Sequence, residues 1–71
     1  MTINEILKYS IEQLKEKNIE EPILKSKILV CNILNKGKEY LITNMEQTLK
    51  KKEIYKIKCG IKKLSKNLPI Q

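Results

Sequence analysis

The chain has 71 residues, a formal net charge of +7 and 41% hydrophobic residues, which excludes a disordered protein and leaves room for one small domain with a thin core. Its two cysteines, Cys31 and Cys59, lack the CxxC spacing and the His partners of a zinc site, so we expect two reduced thiols. The N-terminus does not have the pattern of a secretory signal, and no apolar run approaches the ~20 residues of a membrane helix, so we expect a cytoplasmic protein.

The first predicted helix begins with a capping box. Thr2 and Glu5 have the spacing at which each side chain bonds the other residue's backbone amide. Apolar residues then recur three and four positions apart, at Ile3, Ile6, Leu7, Ile11 and Leu14. Asn18 tolerates the left-handed backbone conformation, so we expect the helix to end there.

A second helix is predicted from Pro22, because a first-turn position does not need the amide that proline lacks. Its apolar residues fall on nearly every side of the helix: Ile28, Leu29, Val30, Cys31, Ile33 and Leu34. A helix of this kind is expected to be surrounded by others, which places Cys31 in the core. The run would also suit a buried strand, but the chain has no second strand to pair with it. The segment Asn35-Lys36-Gly37 is expected to stop the helix, with Gly37 able to take a positive φ.

A short helix and a long one are predicted for the second half of the chain. Lys38 to Asn44 allows one or two turns, and Met45 to Leu49 forms a connector. A long helix follows over residues 51–66, with an apolar stripe at Ile54, Ile57, Ile61, Leu64 and Leu68. Asn67 and Pro69 are expected to end it. The predicted fold is all-α, a small bundle of four to five helices (long, long, short, long) with an aliphatic core.

The last third of the chain carries the whole excess of positive charge. Residues 47–71 contain eight Lys and one Glu, whereas Lys and Glu balance in the rest of the chain. A lysine-rich helix surface can neutralise phosphates, and an exposed tyrosine within it can stack on a base or anchor a protein. The candidate partner-binding residues are Lys51, Lys52, Tyr55, Lys56, Lys62, Lys63 and Lys66. The alternative is that this face is only solvated surface.

Within the same helix, Gly60 indicates either a close approach of another helix or a bend, because glycine is otherwise unfavourable there. Cys59 falls beside Tyr55 on the lysine-rich face, where the positive field favours a thiolate. A reactive role for Cys59 would still require a neighbouring base.

No catalytic, cofactor-binding or metal site is predicted in this chain. It contains no His and no Asp, and its glutamates stand mostly at helix starts or on polar faces. Its two glycines, Gly37 and Gly60, do not belong to a phosphate-binding loop, so no nucleotide or S-adenosylmethionine site is expected.

The order of these elements follows a known pattern. An I-x-x-P step at Ile19–Pro22 precedes the Leu-rich second helix, and Tyr40, Leu41 and Ile42 form the short helix. The last helix closes in Lys62-Lys63 and then Asn67-Leu68-Pro69-Ile70-Gln71. Over its whole length the chain resembles the N-terminal domain of HemK-type protein glutamine methyltransferases.

The chain departs from that family's pattern at three places. Lys25, Ser26 and Lys27 stand where the family often has an acidic and a small residue. Asn67 replaces a usual Gly, which is a mild change because both residues tolerate a left-handed cap. Lys63 replaces a common Arg, which would weaken any bidentate contact made there.

The resemblance implies a function for the parent protein. In the family, a Rossmann-like domain follows and transfers a methyl group from S-adenosylmethionine to the Gln of the Gly-Gly-Gln loop of a peptide chain release factor. Residues 1–71 would then be a single helical substrate-recognition domain without catalytic activity, the catalytic domain being absent from this chain. The implied partners are the release factor and the protein's own catalytic domain. The basic last helix adds proximity to the ribosome or to RNA as an expectation of its own.

Two other interpretations of the residues stay open. A free-standing basic helical protein would bind nucleic acid through its last helix, with a strong dependence on salt. A helical adaptor or oligomerisation domain would instead associate through surface that a missing neighbour leaves open.

Overall fold

Four α-helices make up 74% of residues 1–66, which are the residues that this computed structural model describes. Helix α1 spans Ile3–Glu16, α2 spans Pro22–Leu34, α3 spans Lys38–Thr43 and α4 spans Lys51–Lys66. Residues 1–66 contain no β-strand. The predicted all-α bundle is confirmed, with four helices. The predicted roles of Asn67, Leu68 and Pro69 concern positions outside the described residues.

Helix α1 has the capping box that its sequence predicts. The Thr2 hydroxyl accepts from the Glu5 amide at 3.2 Å, and the Thr2 amide donates to Glu5 Oε1 at 2.8 Å. The bond from the Thr2 backbone is the main reason why the pKa of Glu5 is lowered from 4.5. At the other end Asn18 takes the left-handed conformation, with φ of 57°, as predicted.

The ends of α2 combine a confirmed prediction with a wrong one. Pro22 occupies the first turn, and Glu21 before it has φ of 50°. The left-handed residue that ends α2 is Asn35, with φ of 58°, and not Gly37, whose φ is −83°. Asparagine can adopt this conformation at little cost, so the helix stops two residues earlier and Gly37 becomes the N-cap of α3.

Helix α2 contacts each of the other three helices, yet it is not enclosed. Val30 and Cys31 are buried, but Ile23, Leu24 and Ile28 keep 51%, 38% and 44% of their surface exposed. The prediction of a surrounded helix is therefore wrong within residues 1–66. Three neighbouring helices, one of them only six residues long, cover one side of α2 and leave its outer side open.

The connector between α3 and α4 is fastened to the start of α1. The Ile3 amide donates to the Gln47 carbonyl at 3.0 Å, and the Leu49 amide donates to the Met1 carbonyl at 2.7 Å. Leu49 is itself buried, 6% exposed, in the hydrophobic core. These contacts fix where α4 begins relative to α1.

The core is aliphatic, as predicted. Its buried members come from all four helices and the connector: Ile3, Ile6, Leu7, Leu14, Val30, Cys31, Leu41, Leu49, Ile57 and Ile61. Ile11, Ile54 and Leu64, which the stripes also predict, are only half-buried. Gly60 marks a close approach, because a Cβ atom there would lie 2.7 Å from Leu29 Cδ1 of α2. This resolves the choice between close packing and a bend in favour of packing.

Candidate partner-binding surface

The seven candidate residues lie together on the outer side of α4. Ile57 and Ile61 hold the inner side of this helix in the core, so the 3.6-residue period turns the intervening side chains to solvent. All six candidate lysines are exposed, and Tyr55 exposes 71% of its surface. We call this set the α4 basic surface: Lys51, Lys52, Tyr55, Lys56, Lys62, Lys63 and Lys66.

This surface has a uniform sign along most of its length. Glu53, the single acidic residue of α4, lies in the first turn. Its carboxylate accepts a hydrogen bond of 2.9 Å from the Lys50 backbone amide. That position complements the positive end of the helix dipole. From residue 54 to residue 66 every charged side chain is Lys, so the field there attracts anionic groups.

A groove of about 310 Å³ borders the α4 basic surface where α4 meets α1. Tyr9 and Gln13 line it from α1, and Tyr55, Cys59 and Lys62 line it from α4. Two aromatic side chains, Tyr9 and Tyr55, therefore line the groove at one edge of the α4 basic surface. Such an edge can hold a planar or apolar group beside the cations.

The Lys58 side chain crosses this groove. Its ammonium nitrogen lies 5.3 Å from the centre of the Tyr9 ring, which is within the range of a cation–π contact. The contact joins the lysine-rich face of α4 to α1. It also presents a cation together with an aromatic ring at the same edge.

Tyr55 and Cys59 form a pair on α4, as their spacing predicts. The neighbouring Cys59 thiol raises the pKa of the Tyr55 phenol above 10.0. Tyr55 therefore stays neutral at physiological pH, available for stacking or hydrogen bonding. Cys59 is half-buried and both cysteines are free thiols. Residues 1–66 place no histidine or aspartate near Cys59 that could serve as its base, because the sequence contains neither.

On the other side α4 meets α2. Lys63 and Lys66 lie there at the rim of an open depression with Leu29, Gly60 and Leu64. The absence of a side chain at Gly60 lets Leu29 of α2 pack close to the α4 backbone at this depression. The lysines thus border an apolar surface on this side as well.

Tyr9 and Gln13, which line the groove from α1, are not predicted as candidate residues by the sequence. Lys58 belongs to the lysine run, but the two α1 residues give no local signal of their place at the groove. Tyr9 and Tyr55 are 46 positions apart in sequence, and only the packing of α1 on α4 brings them to one groove. The spacing within one helix cannot show this.

No group of three or more His, Cys, Asp or Glu side chains that could hold a metal occurs within residues 1–66. In the same part of the chain no helix has the length and apolar character to cross a membrane.

Comparison with known proteins identifies the family to which the chain belongs. Residues 5–71 match the model of the PrmC N-terminal domain. A search of curated proteins and a search of solved structures each found no significant match. Since the matched region spans nearly the entire sequence, the chain belongs to the PrmC N-terminal domain family.

Proposed function

We propose that this chain is the release-factor recognition domain of a protein glutamine methyltransferase. The family match over residues 5–71 carries the proposal. In the parent enzyme a separate domain would transfer the methyl group from S-adenosylmethionine to the Gln of the Gly-Gly-Gln loop. The present domain binds the release factor and holds it, and performs no chemistry itself.

The α4 basic surface is the proposed contact with the release factor. Its exposed lysines require a partner surface rich in carboxylates, and Tyr55, exposed among them, suits a hydrophobic anchor in the centre of the contact. Exposed lysines pair weakly one by one and act mainly on the rate of association. We therefore expect the binding to weaken as salt concentration rises.

Isothermal titration of a purified release factor with this chain tests the proposal. Lys62→Glu/Lys63→Glu should weaken binding at least about tenfold, because two attractive charges become repulsive. Lys8→Glu/Lys17→Glu is the matched control, since it makes the same change of charge at two exposed positions away from α4. Equal weakening by both double variants would contradict the proposed contact. No binding to any release factor would contradict the proposed function itself.

Nucleic-acid binding is the second candidate function, favoured by the exposed Tyr55 between exposed lysines. It predicts that a fluorescein-labelled oligouridine binds with an affinity that falls steeply between about 50 and 200 mM NaCl. Lys62→Glu/Lys63→Glu should remove most of this binding, and Tyr55→Ala should weaken it further. An unchanged fluorescence anisotropy at the lower salt concentration would exclude this function.

A further inference from the structure

A second exposed surface lies away from α4, where α2 meets α3. Ile23 and Leu24 on α2 and Ile42 on α3 expose 51%, 38% and 69% of their surface. These side chains line two depressions that share Lys27 and Lys38, and an exposed apolar patch of this kind commonly marks an interaction site. We call this region the α2–α3 cleft.

Two depressions form the cleft, and both are lined by Lys27 and Lys38. One lies at the start of α2 and is also lined by Glu21, Pro22, Ile23 and Leu24. The other, of about 170 Å³, is lined by Leu7, Leu41, Ile42 and Met45 as well as the two lysines. The cleft is therefore an apolar surface with two cations where its depressions join and one carboxylate, Glu21, at its α2 end.

The charges at the cleft indicate which kind of partner can bind there. A second copy of the chain placed symmetrically on the cleft would bring four lysines and only two glutamates together, between molecules that each have a net charge of +7. Residues 1–66 have no β-strand whose edge could add an extended peptide. An apolar cleft instead fits one face of a helix, and its two lysines require carboxylates on that helix.

From this arrangement we propose that the α2–α3 cleft binds an acidic amphipathic helix of a partner protein. The helix lays its apolar side chains along Ile23, Leu24 and Ile42, while its Glu or Asp side chains meet Lys27 and Lys38. This site is separate from the α4 basic surface and does not depend on release-factor binding.

A pair of synthetic peptides tests the proposal on the 71-residue chain. The first peptide has about 16 residues, with Leu three and four positions apart and Glu beside them, so that it forms an acidic amphipathic helix. The second has the same composition in scrambled order. At about 150 mM NaCl, where nonspecific attraction is screened, the amphipathic peptide should bind at least about tenfold more tightly than the scrambled one. Equal affinities would overturn the proposal.

Variants separate the cleft from the α4 basic surface. Ile42→Asp and Lys27→Glu/Lys38→Glu should each weaken the binding of the amphipathic peptide about tenfold or more. Lys62→Glu/Lys63→Glu should change the affinity for this peptide less than about twofold. Ile42 is mostly exposed, so its replacement leaves the fold intact, which a thermal melt checks. In ¹⁵N-labelled chain, the amide shifts caused by the peptide should centre on Ile23, Lys27 and Ile42. Shifts centred on α4 would also overturn the proposal.

Discussion

At the residue scale, short polar side chains decide where the helices begin and end. Thr2 and Glu5 satisfy two amides that the first turn of α1 leaves without helical partners. Asn18 and Asn35 take left-handed conformations that close α1 and α2. Each of these residues acts on its immediate neighbours in sequence, which is why three of the four were identified from sequence alone. For α2 the sequence predicts a stop within Asn35-Lys36-Gly37 but assigns the positive φ to Gly37, because both residue types can adopt it.

The lowered pKa of Glu5 predicts a pH dependence. A carboxylate whose pKa is lower in the folded state stabilises the fold above its unfolded pKa, near 4.5, and loses that effect as pH falls through the folded pKa. The wild-type chain should therefore melt at a higher temperature than Glu5→Gln at about pH 7, and this gap should narrow at about pH 3, below the unfolded pKa. Circular dichroism melts at both pH values measure this. A gap of equal size at both pH values would contradict the assigned role of Glu5.

At the element scale, α4 is stabilised by its apolar side and destabilised by its own charge. Ile57 and Ile61 anchor it in the core, while Lys58, Lys62 and Lys66 stand four positions apart along its exposed side. Like charges at this spacing cost roughly 0.2–0.5 kcal/mol per pair. A helix whose lysines oppose its own stability is consistent with a binding role for those lysines.

Lys62→Glu tests that conflict between stability and binding. The change turns two repulsive pairs, with Lys58 and with Lys66, into attractive ones, and should raise the free energy of unfolding by roughly 0.5 kcal/mol or more. Urea denaturation in low salt measures this, and the gain should shrink in about 1 M NaCl. The same variant should bind a release factor less tightly. Loss of stability together with loss of binding would show that the weaker binding reflects damage to the fold.

The contact between α2 and α4 predicts that Gly60 and Leu29 are energetically coupled. Ala in place of Gly in a helix interior gains about 1 kcal/mol, but here the new Cβ would lie 2.7 Å from Leu29 Cδ1, and the leucine must move. Gly60→Ala should therefore stabilise the chain more in a Leu29→Ala background than in the wild type. A double-mutant cycle with a coupling energy of at least about 0.5 kcal/mol is expected. Additive effects would contradict the close approach.

At the scale of the whole molecule, a thin core has to hold four helices together. Ile57 is 0% exposed whereas Ile42 is 69% exposed, although both are isoleucines on helices. Small domains have free energies of unfolding of only about 5–15 kcal/mol. The loss of one buried side chain therefore removes a large fraction of the total stability. Lysine-rich α4 depends on Ile57 and Ile61 for its attachment to the core.

Substitution of the two isoleucines by alanine compares these environments directly. Ile57→Ala should lower the free energy of unfolding by roughly 2–5 kcal/mol, because it removes buried contacts and leaves a cavity. Ile42→Ala should change it by less than about 0.5 kcal/mol. Guanidinium denaturation of both variants provides the measurement. Similar losses in the two would place Ile42 in the core and remove the basis for the α2–α3 cleft.

The sequence alone determined the helices, the family resemblance and the residues of the α4 basic surface. Capping boxes, Pro22 and the three- and four-residue spacing of apolar side chains are local signals, since they act within one or two turns. They correctly placed α4 at residues 51–66. The side of α4 that carries the lysines follows from the same spacing.

Only the tertiary structure decided which surfaces are covered. The composition of α2 predicts a surrounded helix, but the number and length of its neighbours leave Leu24 and Ile28 in solvent. The groove between Tyr9 and Tyr55, like the cleft of Lys27 and Lys38, joins residues from different helices. Exposure and juxtaposition depend on how whole helices pack, and a periodic pattern within one helix shows its apolar side without showing what lies against it.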